Sequence, residues 1–118
     1  MDIFLDGNNV YGHILIPDGL APVLHAVRDV QGVGKASIYL SGFDESESLI
    51  LSSELIDFRS EPLEPGRQML NGGVAGTIDK VVAFVAGLSR ALSDAEIEHH
   101  FEIYDEKKRL IREIPCPG

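Results

Sequence analysis

Residues 77–92, TIDKVVAFVAGLSRAL, lead after a short break into residues 97–105, IEHHFEIYD, and 110–115, LIREIP. In the first segment, apolar side chains recur every three or four positions, which is the pattern of an amphipathic helix. In the second, Phe101 and Ile103 alternate with polar residues, which is typical of a strand with one buried face. A helix followed by a hairpin predicts that helix and sheet share one core in this chain.

The ends of these elements also carry signals. Thr77 or Gly76 is suited to begin the helix, and Asp79 suits its first turn because helix N-termini favour negative charge. Residues 93–96, SDAE, have the spacing of a capping box, which predicts a short additional helical turn. The turn of the hairpin is expected at residues 106–108, EKK.

Toward the N-terminus, the sequence predicts another hairpin and another helix. Residues 3–5 and 10–16 are apolar stretches on either side of the turn formers Gly7-Asn8-Asn9, which is a common hairpin pattern. An apolar stripe over residues 20–27 predicts the helix, with Asp18 as its N-cap.

The middle of the chain is less regular. Residues 36–41 alternate as a short strand. Residues 49–58 are mostly apolar, but Ser52 and Ser53 interrupt both alternations, so we interpret the stretch as one strand with a bulge. Residues 61–76 contain Pro-Gly and Asn-Gly-Gly sequences and are interpreted as a long loop.

These elements give the order ββα-ββ-αββ in a single domain over residues 1–118. A chain of this size can bury a substantial core without disulfides or metals. We predict an α+β fold with about six strands in a mainly antiparallel sheet. Both helices are expected on one face of the sheet, which leaves the other face for a partner.

Acidic residues dominate the charge of the chain, with 19 Asp and Glu against 10 Lys and Arg and a net charge of −9. They concentrate in residues 44–64 and 94–106. Because phosphates are bound mainly by Lys and Arg, this balance predicts no binding of nucleic acid and none of anionic membranes. The charge either steers the protein toward a basic partner or serves only to keep it soluble.

The single cysteine and the N-terminal residues bear on location. Cys116 has no second cysteine with which to form an intramolecular disulfide, which is typical of a reducing compartment. The first residues lack a basic segment followed by an apolar one, and no apolar run approaches the ~20 residues that cross a bilayer. We therefore expect a cytoplasmic protein.

Common catalytic motifs are absent from the sequence. It contains neither a Walker A loop nor a Gly-x-Ser-x-Gly elbow. His100-Phe101-Glu102 and Pro115-Cys116 match parts of a zinc deaminase signature, but its second cysteine is missing. His99 and His100 should point to opposite faces of a strand, at the surface or its rim, and cannot chelate one metal together. We expect no catalytic residues, no cofactor, no metal and no enzymatic activity.

The helix and amphipathic hairpin of residues 78–115 resemble the ending of several small immunity proteins from bacterial polymorphic-toxin and contact-dependent killing systems. Those proteins are small, often acidic and often α+β, and they neutralise a toxin by covering its active site or substrate surface. The resemblance implies the same class of function for this chain. An acidic inhibitor can mimic the phosphates that a basic toxin domain binds.

We predict that partner-binding residues lie where acids adjoin aromatic residues: Asp44, Glu45, Glu47, Glu102, Tyr104 and Asp105. Tyr39 and Phe43 are further aromatic candidates. Two alternatives stay open. One is a small enzyme or ligand-binding domain with its site in residues 61–77, and the other is a homo-oligomeric scaffold that uses a free face or edge of the sheet.

Overall fold

The computed structural model describes residues 9–43 and 46–115, which form one open antiparallel sheet of seven strands and two helices. The predicted α+β class is confirmed. The elements are β1 (Val10–Leu15), α1 (Ala21–Val27), β2 (Lys35–Leu40), β3 (Glu47–Ser52), β4 (Ile56–Glu64), β5 (Arg67–Val74), α2 (Ile78–Asp94), β6 (His99–Tyr104) and β7 (Leu110–Ile114).

The first described strand occupies an interior position in the sheet, whose order is β2-β3-β4-β5-β1-β6-β7. Val10 of β1 lies opposite Gly72 of β5 on one side and opposite Ile103 of β6 on the other. The strands β2 to β5 follow one another as antiparallel neighbours, and β6 and β7 form the C-terminal hairpin. The predicted strand at residues 3–5 lies outside the described residues.

The long helix α2 begins where the sequence predicts. Thr77 is its N-cap, and the Thr77 hydroxyl accepts a hydrogen bond from the backbone N–H of Lys80 at 3.4 Å. The predicted additional turn at residues 93–96 is wrong, because the helix itself continues through Asp94. Glu96 then adopts a φ of 60°, in the left-handed region, and the chain turns into β6.

The short helix α1 begins without the predicted cap. Leu20 occupies the N-cap position and no side chain accepts a hydrogen bond from the first turn, so the prediction for Asp18 is wrong. Pro22 in the first turn has no N–H, which leaves fewer amide donors for a cap to satisfy. Val23 and Val27 anchor the helix in the core.

The stretch predicted as one bulged strand, residues 49–58, contains two strands. The chain reverses between β3 and β4, where the N–H of Ser53 donates to the carbonyl oxygen of Ile56 at 3.0 Å. The Ser53 hydroxyl also accepts from the N–H of Leu55 at 3.2 Å. The serines that interrupt the apolar pattern therefore mark a turn and not a bulge.

The long loop predicted for residues 61–76 is also wrong, because most of it is the β4–β5 hairpin. Pro65 and Gly66 form its turn, and Gly66 has a φ of 80° that favours glycine. Pro62 lies beside a register shift between β4 and β5, one of the few places where a strand tolerates proline.

Both helices pack on one face of the sheet, which we call the covered face. Its strands and helices contribute a continuous set of buried apolar side chains that includes Val10, Ile14, Leu49, Leu51, Phe58, Leu70, Val81, Val85, Leu88, Leu92, Phe101 and Ile103. The opposite surface, which we call the open face, carries the alternate residues of the same strands. The fold thus separates an apolar side from a polar one.

Two strand glycines permit close packing of aromatic rings on the covered face. A methyl group at Gly12 would collide with the ring of Phe101, and one at Gly72 would collide with Phe58 and the carbonyl oxygen of Asp57. Any other residue at these positions would displace the neighbouring strand or its ring.

Buried polar side chains hold β3 to the neighbouring strands where direct backbone pairing between β3 and β4 ends. The N–H of Leu49 donates to the Ser60 hydroxyl at 2.7 Å, and that hydroxyl donates to Gln68 Oε1. Gln68 Nε2 donates in turn to the carbonyl oxygen of Glu47 at 3.0 Å. These bonds replace strand pairing at the point where the β2–β3 hairpin and the β4–β5 hairpin diverge.

Within residues 9–43 and 46–115, no helix combines the length and apolar character needed to cross a membrane.

Candidate functional site

A cleft of about 420 Å³ lies on the open face where β5, β1 and β6 run side by side. Its lining comprises Tyr11, His13, Met69, Asn71, Glu102, Tyr104 and Lys108. The strand register brings these residues together, because Tyr11 lies opposite both Asn71 and Glu102. We call this feature the open-face cleft.

Two tyrosines and a glutamate form the most ordered part of the open-face cleft. The rings of Tyr11 and Tyr104 meet edge to face, with centroids 5.6 Å apart and planes at 83°. The Tyr104 hydroxyl donates to Glu102 Oε1 at 2.9 Å. This hydrogen bond, helped by partial burial and the negative charges of Glu102 and Glu113, raises the pKa of Tyr104. Tyr104 therefore stays protonated at neutral pH and fixes the orientation of the carboxylate.

The charge of the open face is biased toward acid. Among its described strand positions, the acidic residues are Asp57, Glu61, Glu64, Glu102 and Glu113, and the basic ones are Lys35, Arg59 and Arg67. Lys108, from the β6–β7 turn, adds a cation at the cleft. A basic partner would approach a surface of favourable sign.

Two of the predicted partner-binding residues, Glu102 and Tyr104, line the open-face cleft together. Asp105 follows directly, but its carboxylate serves the β6–β7 turn. Oδ1 accepts from the N–H groups of Lys107 and Arg109, and Oδ2 accepts from Arg109 Nε, all at 2.9 Å. These bonds, led by the one from the backbone of Arg109, lower the pKa of Asp105.

Glu47, the remaining predicted residue that the structure describes, is not brought into this cleft. Glu47 begins β3, which is separated from β6 by three strands, a distance of about 19 Å at the usual strand spacing. It also shares the parity of the buried Leu49 and Leu51, so it belongs to the covered side of the sheet. Asp44 and Glu45 lie outside the described residues.

The aromatic candidates Tyr39 and Phe43 are both exposed, near the end of the edge strand β2. They are far along the sheet from Tyr104, because β2 and β6 are at nearly opposite ends of the strand order. The described aromatic residues therefore do not gather into one patch.

The two adjacent histidines point to opposite faces of β6, as predicted, but His99 is not a surface residue. Its Nδ1 lies 2.8 Å from the carbonyl oxygen of Ile97, and its Nε2 lies 2.7 Å from the Ser89 hydroxyl. Because a carbonyl oxygen only accepts, Nδ1 carries a proton, and in the neutral ring Nε2 then accepts from the Ser89 hydroxyl. His99 thus joins β6 to α2. His100 is half-buried on the open face, opposite His13.

Residues 61–77, the region of the alternative ligand site, contribute Met69 and Asn71 to the open-face cleft and also line two other concavities. A cleft of about 690 Å³ lies between the diverging hairpins and is lined by residues 62–68 together with Ile16, Leu40, Ser46 and Glu47. An apolar cleft of about 410 Å³ lies against α2 beside Val74 and Ala75. All buried polar side-chain atoms in the described part of the chain have hydrogen-bond partners. Neither cleft therefore presents an unsatisfied buried group to a ligand.

Sequence reasoning missed Tyr11, His13, Met69, Asn71 and Lys108 as members of the cleft. The alternation of β1 does place Tyr11 and His13 on one face, which was the available signal. Met69 and Asn71 were hidden by the interpretation of residues 61–76 as a loop, since only strand pairing brings them beside β1.

Comparisons with protein-family models, curated proteins and solved structures found no match to this chain.

Proposed function

We propose that this chain is a non-enzymatic protein-binding module that neutralises a basic toxin domain, with the open-face cleft as the centre of its contact surface. The observation that carries the proposal is the cleft itself, where two tyrosines and a glutamate are held in fixed geometry on a sheet face that no helix of residues 9–43 and 46–115 covers. Aromatic residues in a rigid setting are frequent anchors of protein interfaces.

The chemistry of the cleft suits a guanidinium or ammonium group from the partner. The Glu102 carboxylate supplies a charged acceptor, and the rings of Tyr11 and Tyr104 supply aromatic surface. An arginine of a nucleic-acid-directed toxin matches these features, because such a toxin must bind phosphates and tends to be basic. The net charge of −9 favours rapid association with it.

Capture experiments test the proposal. Tagged wild-type protein is used as bait in its native cells beside Glu102→Lys, and bound proteins are eluted with rising salt. Glu54→Lys is the matched control, because it makes the same charge change at an exposed turn between β3 and β4. We expect a basic protein that is retained by the wild type and Glu54→Lys and lost with Glu102→Lys.

The captured protein must also behave as a toxin. Its expression alone is expected to arrest growth, and co-expression of the wild type is expected to restore it, whereas Glu102→Lys fails to do so. A partner held equally well by Glu102→Lys would remove the open-face cleft from the interface. A captured protein without toxicity would overturn the toxin-neutralising role.

A ligand-binding function is the second candidate, and the cleft of about 690 Å³ between the diverging hairpins favours it. Its volume lies within the range of small-molecule sites. Thermal-shift screening of a metabolite library tests this function. A compound whose binding is abolished by Arg67→Ala, without loss of fold, would support ligand binding. A screen without hits would count against ligand binding and leave protein binding as the remaining candidate.

A further inference from the structure

Three side chains of metal-ligand type converge on the open face of the β6–β7 hairpin. They are His100 and Glu102, two positions apart on β6, and Glu113, which lies directly opposite Glu102 on β7. One ligand atom from each lies within 4.8 Å of the other two. His100 Nε2 and Glu113 Oε1 are already 3.2 Å apart.

Glu102 and Glu113 lie directly opposite each other, so a positive charge between their carboxylates would stabilise the hairpin. Carboxylates directly opposite each other on neighbouring strands repel and destabilise the pairing. His100 contacts Glu113, and the Tyr104 hydroxyl holds Glu102 from the other side. Such hydrogen bonds to a carboxylate orient it in the way that outer-shell partners orient metal ligands.

We propose that His100, Glu102 and Glu113 bind a divalent transition-metal ion, with Zn²⁺ as the best match. One imidazole nitrogen and two carboxylate oxygens belong to the usual ligand set of Zn²⁺, and water would complete the tetrahedron. Ca²⁺ and Mg²⁺ prefer oxygen ligands alone, so the imidazole selects against them.

The geometry needs only a small adjustment. Ligand bonds of roughly 2.0–2.2 Å in a tetrahedral site bring the ligand atoms to about 3.5 Å from one another. All three side chains are partly exposed, so rotation of the glutamates can close the present separations. The sequence-based expectation of no metal considered His99 with His100, and His100 with Glu102 in a zinc deaminase signature, whereas this site takes its third ligand from another strand.

This inference goes beyond the proposed function, because the isolated protein should bind the ion without any partner. Isothermal titration of ZnCl₂ into the full chain tests it. A Cys116→Ser background removes the single thiol, which is a strong competing ligand. We expect one Zn²⁺ per chain, and binding at least tenfold weaker in each of His100→Gln, Glu102→Gln and Glu113→Gln.

His25→Gln is the matched control, since His25 is exposed on α1, on the other side of the sheet. It is expected to bind Zn²⁺ as the parent does. Circular dichroism of each variant confirms that the fold is retained. Zn²⁺ binding that persists in both His100→Gln and Glu113→Gln, or absence of binding at millimolar Zn²⁺, would overturn the site.

Selectivity and spectroscopy provide independent checks. Ca²⁺ and Mg²⁺ at the same concentrations should not displace Zn²⁺, and equal binding of Ca²⁺ would contradict a site built on an imidazole. In NMR titrations, the ring signals of His100 should shift with Zn²⁺ while those of His25 do not. None of these results depends on a toxin, so failure of this site and failure of the proposed function are separate outcomes.

Discussion

The two faces of the sheet differ in how they tolerate change, although their residues alternate along the same strands. On the covered face, Phe101 is fully buried and packs over Gly12, where a single added methyl group would collide. On the open face, the next residue, Glu102, is partly exposed. Its carboxylate accepts a hydrogen bond from the Tyr104 hydroxyl and is not packed in the core. Stability therefore resides on one face, which leaves the other face available for binding.

Truncation of adjacent residues gives the largest expected contrast. Phe101→Ala should lower the free energy of unfolding by about 3–5 kcal/mol, because it removes a fully buried ring. Glu102→Ala should change it by about 0.5 kcal/mol or less. Urea denaturation of the two variants measures both values. Similar losses at the two positions would contradict the division of roles between the faces.

The next largest loss of stability is expected when a side chain is added to the closely packed covered face. Gly72→Ala should destabilise the fold by about 2–3 kcal/mol, because the new methyl group meets Phe58 and the backbone of Asp57. Gly42→Ala is the control, since its methyl group would meet nothing within 4 Å. Thermal denaturation compares the two. A neutral Gly72→Ala would show that β4 and β5 separate more easily than their close packing indicates.

The buried polar bonds of the covered face should contribute less than its rings. Gln68→Ala removes the acceptor of the Ser60 hydroxyl and the donor to Glu47, so we expect a loss of about 1–3 kcal/mol. In amide hydrogen exchange, the loss should appear first in β2 and β3, which these bonds tie to the rest of the sheet. Uniform loss of protection throughout the sheet would argue against this local role.

The smallest effect on stability is expected at Asp105, because its hydrogen bonds in the β6–β7 turn lie at the solvent-exposed surface. Its lowered pKa means that the ionised form stabilises the fold above the unfolded-state pKa of about 3.9, and that this stabilisation is lost as pH falls through the folded-state pKa. Asp105→Asn should therefore be modestly less stable than the wild type at pH 7 and equal to it in strong acid. Denaturation curves at the two pH values check the difference, and a gap that widened in acid would contradict it.

Much of the covered face could be predicted from sequence, because apolar periodicity reports burial directly. The stripe of α2 and the alternation of Phe101 and Ile103 gave the correct elements. The hairpins around residues 53–55 and 65–66 were missed for two reasons. A short serine turn between apolar strands looks like a bulge, and glycines that admit aromatic rings look like loop glycines.

The open-face cleft could be predicted only in part. Glu102 and Tyr104 are neighbours on one strand, so alternation alone placed them together. Met69 and Asn71 join them through pairing between strands that are remote in sequence, and no local pattern specifies which strands pair. The proximity of Glu113 to His100 was hidden for a different reason, because the hairpin of β6 and β7 was predicted but its register, which is irregular between Ile103 and Tyr104, was not.

The interior position of β1 sets a limit on when the molecule can become complete during synthesis. Val10 leaves the ribosome well before its neighbours Gly72 and Ile103 are made. One edge of this apolar strand therefore stays without its native partner until β5 emerges and the other until β6 emerges, and the joining of such distant segments is intrinsically slow.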